Sequence, residues 1–187
     1  KIEGPRLNDL RVQTSSYGLP IPRVYGSIAL SGNVFWVENN QLKEVSTTET
    51  QGKGGGGAES TTYSYSVTCA IGLCEGPIYG IRRIWIGTKL IYDGGTTDLA
   101  TAIAGGAYTG FIAPTEDGIS GGSFSVYFGT DTQQPDDRLQ ATLGVDNVPA
   151  YRGLAYIVLK DYPLADHGNS LLAAQVKVEV ITGSLDC

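Results

Sequence analysis

Three features of the sequence predict a mainly β fold with two or three short α-helices and one long β-hairpin. Glycine occurs 26 times in 187 residues, about twice its usual share of roughly 7%, and these glycines separate short apolar runs in the manner of tight turns. Several runs alternate apolar and polar residues, the period of two that sends successive side chains to opposite faces of a strand. Helical signals are few and brief.

The chain opens on an extended arm, residues 1–22. Pro5, Gly18, Pro20 and Pro22 forbid a regular helix across it, because proline lacks an amide donor and pushes the preceding residue out of helical geometry. An arm with no apolar period of its own is expected to pack on a neighbour. A β-rich region, residues 23–187, follows. Residues 24–30 and 33–37 are short β-type runs split by Ser31-Gly32. Residues 38–62 are polar and carry Gly52-Lys53 followed by four further glycines, which predicts a long hairpin insertion with a mobile tip. That tip is expected to order only against a neighbouring subunit or another part of an assembly.

From residue 63 to 71 the alternation is clean. Tyr63, Tyr65, Val67, Cys69 and Ile71 share one face, and Ser64, Ser66, Thr68 and Ala70 the other, which predicts a half-buried strand. Residues 84–86 and 89–92 flank Gly87-Thr88, a two-residue hairpin turn that starts on glycine. Phe124, Val126 and Phe128 alternate within residues 123–128, and Val176, Val178 and Val180 within residues 174–180. Residues 154–159 are apolar on both faces, as a central strand is. Two helices are expected, at residues 97–104, which stop at Gly105-Gly106, and at residues 135–143. For the second, Pro135 suits the first turn, Asp136 and Asp137 suit the positive helix end, and Gly144 terminates it.

Composition narrows the function. The chain is 41% hydrophobic and 17% charged, with 13 Lys and Arg against 19 Asp and Glu, a net charge of −6. An acidic balance argues against gripping a phosphate backbone, which needs clustered Lys and Arg. It suits a conduit whose wall weakly repels passing DNA. The longest apolar run, residues 154–159, is far short of the ~20 residues of a membrane span. Cys69, Cys74 and Cys187 fit neither a zinc nor a thioredoxin spacing. No leader-like apolar stretch opens the chain, so the thiols are read as reduced and mostly buried, in a protein that folds in the cytoplasm. A first residue of Lys1 rather than Met reads as a processed product or part of something longer.

Enzymatic patterns are weak. Gly52-Lys53-Gly54 lacks the Ser or Thr and the helix that a phosphate loop requires. His167 is the only histidine, so a histidine-based nucleophilic site with Ser170, Asp161 or Asp166 would have to use it; Asp166-His-Gly-Asn-Ser170 reads better as a turn. Asp136-Asp137 points two carboxyls in different directions on a helix, unlike a glycosidase pair. One histidine and unpaired thiols leave no soft-ligand metal set, and no cofactor is implied. Arg82-Arg83 is the only dibasic pair, either solvated or an ion-pair anchor for an acidic neighbour.

Four blocks carry a family resemblance. They are Gly4 to Leu10 continuing to Ile21-Pro-Arg-Val-Tyr-Gly-Ser27; Cys74-Glu-Gly-Pro-Ile-Tyr-Gly-Ile81 with Ile84 to Tyr92; Tyr127-Phe-Gly-Thr-Asp-Thr-Gln-Gln-Pro-Asp136; and Val148-Pro-Ala-Tyr-Arg-Gly-Leu-Ala-Tyr156 with Asp161 to Asn169. In their order and spacing they resemble the hub region of siphophage tail-tip proteins and of the host-specificity proteins of gene transfer agents. The lambdoid host-specificity (J) proteins are more distant. The resemblance implies barrel- or sandwich-like hub domains within a longer parent chain. It also implies a homotrimeric ring below the tail tube, in a baseplate hub that meets the distal tail protein, the tape-measure protein and other tail-tip proteins and lets DNA pass. The location implied is the virion, assembled in host cytoplasm, with a structural role and no catalysis. Tyr25, Arg82, Arg83, Tyr151 and Arg152 are the interface candidates, and Trp85 is read as filling its own core. A carbohydrate- or receptor-binding β-domain, with exposed aromatics stacked on sugars, is the alternative.

Overall fold

The structure, a computed structural model, describes residues 2–4, 6–7, 18–51, 58–94, 107–112, 121–171 and 175–182. Within them the chain forms β1 (Ile2–Glu3), β2 (Gly26–Ser31), β3 (Asn33–Val37), β4 (Lys43–Gln51), β5 (Ala58–Glu75), β6 (Gly80–Ile86), β7 (Lys89–Asp93), β8 (Ala107–Phe111) and β9 (Ser123–Phe128). Helix α1 (Asp137–Leu143), β10 (Leu154–Pro163) and β11 (Val176–Thr182) complete it. The fold is mainly β.

The strands make two sheets. A seven-stranded sheet runs β1-β5-β10-β9-β8, with β3 and β4 also pairing with β5, and a four-stranded sheet runs β2-β11-β6-β7. Their facing residues share one core: Val67, Cys69 and Ile71 of β5, Ile157 and Leu159 of β10, and Phe124 and Val126 of β9 meet Ile84 and Ile86 of β6 and Val178 and Val180 of β11. Each such side chain contributes about 1.5–3 kcal/mol by leaving water. The result is a sandwich. Among the described residues neither sheet closes into a barrel.

The alternation expected of β5, β9 and β11 is observed, and β10 is central and buried on both faces. Its second face packs Tyr156 and Val158 with Ala70, Tyr127 and Leu139 beneath α1. The same cover buries the far side of β5 at Thr68 and Ala70, so that strand is enclosed over its upper half rather than half-buried. The hairpin turn at Gly87-Thr88 joins β6 to β7, with Ile86 paired to Lys89 and Gly87 at φ +60°.

Of the two helices expected, the second is observed. One α-helix is present among the described residues, α1; the segment 97–104 lies outside them. Pro135 sits before α1 rather than in its first turn, because Asp136 is the cap and its carboxylate accepts the amides of Arg138 and Leu139. The polar insertion is a hairpin of β4 on β5, antiparallel from Lys43–Ser66 out to Gln51–Ala58; its glycine-rich tip lies outside the described residues.

Cys69 and Cys74 are buried free thiols, whereas Cys187 lies outside the described residues. Burial pushes Cys69 up to about 12 and Cys74 up to about 11, which suppresses the reactive thiolate. In a Cys187→Ser background, maleimide at pH 8 is therefore expected to label neither thiol until denaturant is added. Rapid labelling of the native protein would contradict this packing.

Candidate assembly interface

One segment from each of the four blocks, at residues 22, 75–78, 128–133 and 150–153, meets at one end of the sandwich. Glu75 N donates to Pro22 O at 2.9 Å, Gly76 N to Gly153 O at 2.8 Å, Ile78 N to Phe128 O at 2.8 Å and Gly153 N to Gly129 O at 3.1 Å. Each bond links two different blocks. Gln133, fully buried, ties the third block to the fourth: its Oε1 accepts Gly129 N at 2.7 Å, and its Nε2 donates to Ala150 O at 2.8 Å and Tyr151 O at 3.0 Å. A buried amide with this many partners fixes loops that have no ladder of their own.

Two of the glycines in these blocks touch. Gly129 has φ +78°, and a Cβ on it would lie 2.8 Å from the Gly76 Cα and 3.0 Å from the Leu154 carbonyl carbon. Only glycine permits both that backbone and that approach.

The outer surface of this junction is apolar and open. Leu19 is 49% exposed, Ile21 60%, Tyr25 82% and Ile28 49%, a concentration of large apolar side chains within ten residues that scattered surface residues do not produce. A groove of ≈ 500 Å³ lies between Leu19, Ile21 and Pro22 on one wall and Phe35, Tyr151 and Leu154 on the other. Arg23 pairs with Glu75 at 3.6 Å beside it.

The interface candidates separate. Tyr25 stands free on this surface. Tyr151 is half-buried at φ +49° and packs its ring on Phe35 at 5.1 Å and Tyr156 at 5.6 Å. Arg152 is exposed and donates through Nε to Gln133 O at 3.3 Å. Arg82 and Arg83 lie elsewhere, on the small sheet. Both are paired within the chain: Glu179 takes Arg82 at 3.4 Å and Arg83 at 3.6 Å, and Asp93 takes Arg83 at 3.2 Å. Trp85 is half-buried on that same sheet, opposite Lys177 and Leu90. Sequence reading gave no role to Gln133, Gly76 or Gly129; all three lie inside the blocks, and that is the only signal they offered.

His167 is engaged by the Tyr162 side chain. Its Nε2 shares a hydrogen bond of 3.0 Å with the Tyr162 hydroxyl, and among the described residues Ser170 makes no side-chain bond to it. Burial holds the ring below its ordinary value, with Asp166 opposing and Lys89 adding to the effect. Gly168 at φ +61° and Asn169 at φ +57° complete the turn read from the sequence. Asp136 and Asp137 bind Lys160 at 3.2 and 2.6 Å. No group of three or more metal-ligating side chains occurs among the described residues, and no described helix is long and apolar enough to cross a membrane.

No family model matches the chain, and no curated protein matches it. Among solved structures, it is similar to a chain from the virion of a native gene transfer agent particle. The two are 26% identical with a TM-score of 0.54, and the likeness covers 98% of this chain and 31% of that one. The present chain thus spans less than a third of the protein it matches.

Proposed function

We propose that this chain is a structural part of a virion tail: the hub portion of a tail tip, in a homotrimeric ring below the tail tube. Its partners are further copies of itself, the distal tail protein above, the tape-measure protein inside and other tip proteins. DNA passes without being gripped. The observation that carries this reading is the likeness to a gene transfer agent virion chain over 98% of the length.

Physical features agree with it. A ring needs head-to-tail contacts whose rotation closes, and the surface around Leu19, Ile21, Tyr25 and Ile28 leaves apolar area open to such a contact. A net charge of −6 suits a wall that DNA slides past. The role is scaffolding, with no bond made or broken.

Electron microscopy of intact particles carrying a tag on this chain tests the reading. Density for the tag is expected at the tail tip, in a ring at the end of the tube. A tag along the tail shaft or on the head would refute it.

A further inference from the structure

We propose that the open edge of β2 in one copy receives the projecting β4–β5 ribbon of the next, so that β2 and β4 pair across the subunit boundary. This deepens the ring reading above and rests on it.

The acceptor is the edge of the small sheet. β2 pairs with β11 alone among the described strands, and five of its six residues are exposed. Its sequence, Gly-Ser-Ile-Ala-Leu-Ser, has none of the charges or prolines that natural edge strands use to repel another strand. Register places Ile28 opposite Val180. Val180 is wholly buried in the shared core while Ile28, on the same face, is 49% exposed. The inner face of the sheet therefore continues past the layer that covers it, and ends on an uncovered isoleucine.

The donor is the ribbon. β10 last pairs with β5 at Pro163–Ser66, yet β4 and β5 remain paired out to Gln51–Ala58. About eight residues of β5 thus run beyond the body of the large sheet, roughly 26 Å at ~3.3 Å per residue. A two-stranded ribbon is marginal in water and needs a third strand or a packed face. β1 covers one edge, at Ser60 and Thr61. The other edge, β4, pairs with nothing but β5 among the described strands, and exposes Val45 beside its polar residues.

Charge and symmetry select this pairing. The outer ribbon carries exposed Glu49 and Glu59, and β2 is flanked by exposed Lys177, which has no ion pair among the described residues, and by Arg23. Opposite charges fix register and partner choice at a rim. Donor and acceptor are different patches of one chain, so each copy uses both and the contact propagates head to tail until it closes. Pairing of β2 with a second β2 would be two-fold and would stop at a dimer.

The test uses the full-length parent chain with Cys187 replaced by serine. Ala29→Cys and Thr47→Cys are placed on separate chains, mixed, and treated with a short bis-maleimide. Cross-linked dimer is expected in the mixture and in neither variant alone, and a chain carrying both changes should give a ladder that ends at the ring. In parallel, Ile28→Lys is expected to weaken self-association at least about tenfold while leaving the thermal midpoint of the subunit unchanged. Dimer from Ala29→Cys alone would overturn the ribbon as occupant in favour of β2 on β2. Rings that form normally, with no cross-link in the mixture and no effect of Ile28→Lys, would overturn the β2–β4 pairing and leave the ring intact. A parent chain that forms no ring at all would overturn both.

Discussion

Replacing Asp136 with alanine is expected to destabilise the fold by about 4 kcal/mol, within the ~3–5 kcal/mol typical of breaking a buried charge pair. The side chain is wholly buried and does three things at once. Oδ1 accepts the Arg138 amide at 2.8 Å and the Leu139 amide at 3.0 Å, capping α1. Oδ2 accepts the Tyr127 hydroxyl at 2.8 Å and faces Lys160 Nζ at 3.2 Å. Burial, with the Asp136 charge adding to it, holds the Tyr127 phenol far above its usual range, so it stays a donor. Alanine leaves two helix amides, a phenol and an ammonium without this partner. The Asp136→Asn change keeps the cap and loses the charge, and should cost markedly less, about 1–2 kcal/mol. Urea unfolding with unchanged slope reads both values. A loss below about 1 kcal/mol for the alanine variant would show that the cluster is not holding α1 to the sheet.

Gly129→Ala should cost a comparable amount, roughly 2–5 kcal/mol, by a different route. Here left-handed strain of about 1–2 kcal/mol is joined by overpacking of about 1–3 kcal/mol. The new Cβ would press on the Gly76 Cα at 2.8 Å and on Leu154 backbone at 3.0 Å, and backbone cannot swing aside as a side chain can. Gly153 provides the control. It has a similar φ of +81° but nothing within 4 Å of a Cβ, so Gly153→Ala should show the strain alone, about 1–2 kcal/mol. Equal losses at the two positions would mean that the close approach of the second and third blocks carries no weight.

How far the fold is legible in the sequence follows from where each element finds its partners. α1 is readable because its signals are local: Asp136, Asp137 and Gly144 act within one turn of the helix they bound. β9 and β11 are readable because burial of their inner faces writes a period of two, as in Val176, Val178 and Val180. β1 and β8 are not anticipated as strands, and β4 is anticipated only as one arm of the polar hairpin at residues 38–62. In β4 the run Lys-Glu-Val-Ser-Thr-Thr-Glu-Thr-Gln shows no apolar alternation, because its ladder comes from β5 and neither of its faces enters the core. β1 is two residues long and exists only by pairing with Ser60 and Thr61.

The convergence of the four blocks is not legible for the same reason. Gly76 and Gly129 each meet Gly153 through backbone atoms, and nothing in a glycine records which distant backbone it will touch. Gln133 reads as one more polar residue in a loop, since its burial depends on carbonyls that arrive from residues 150 and 151. The dibasic pair shows the opposite case. Its sequence context reads as either solvated or an anchor for an acidic neighbour, and within the chain Glu179 and Asp93 pair with Arg82 and Arg83.

Underneath all of this is a simple imbalance: the sandwich covers its own centre and leaves the strip from Leu19 to Ile28 in water. Sedimentation equilibrium of the intact parent polypeptide addresses that imbalance most directly. A stable trimer is expected, held together at dilution and dissociated by charge placed at Ile28. A monomer at every concentration, indifferent to the distal tail protein, would contradict the account.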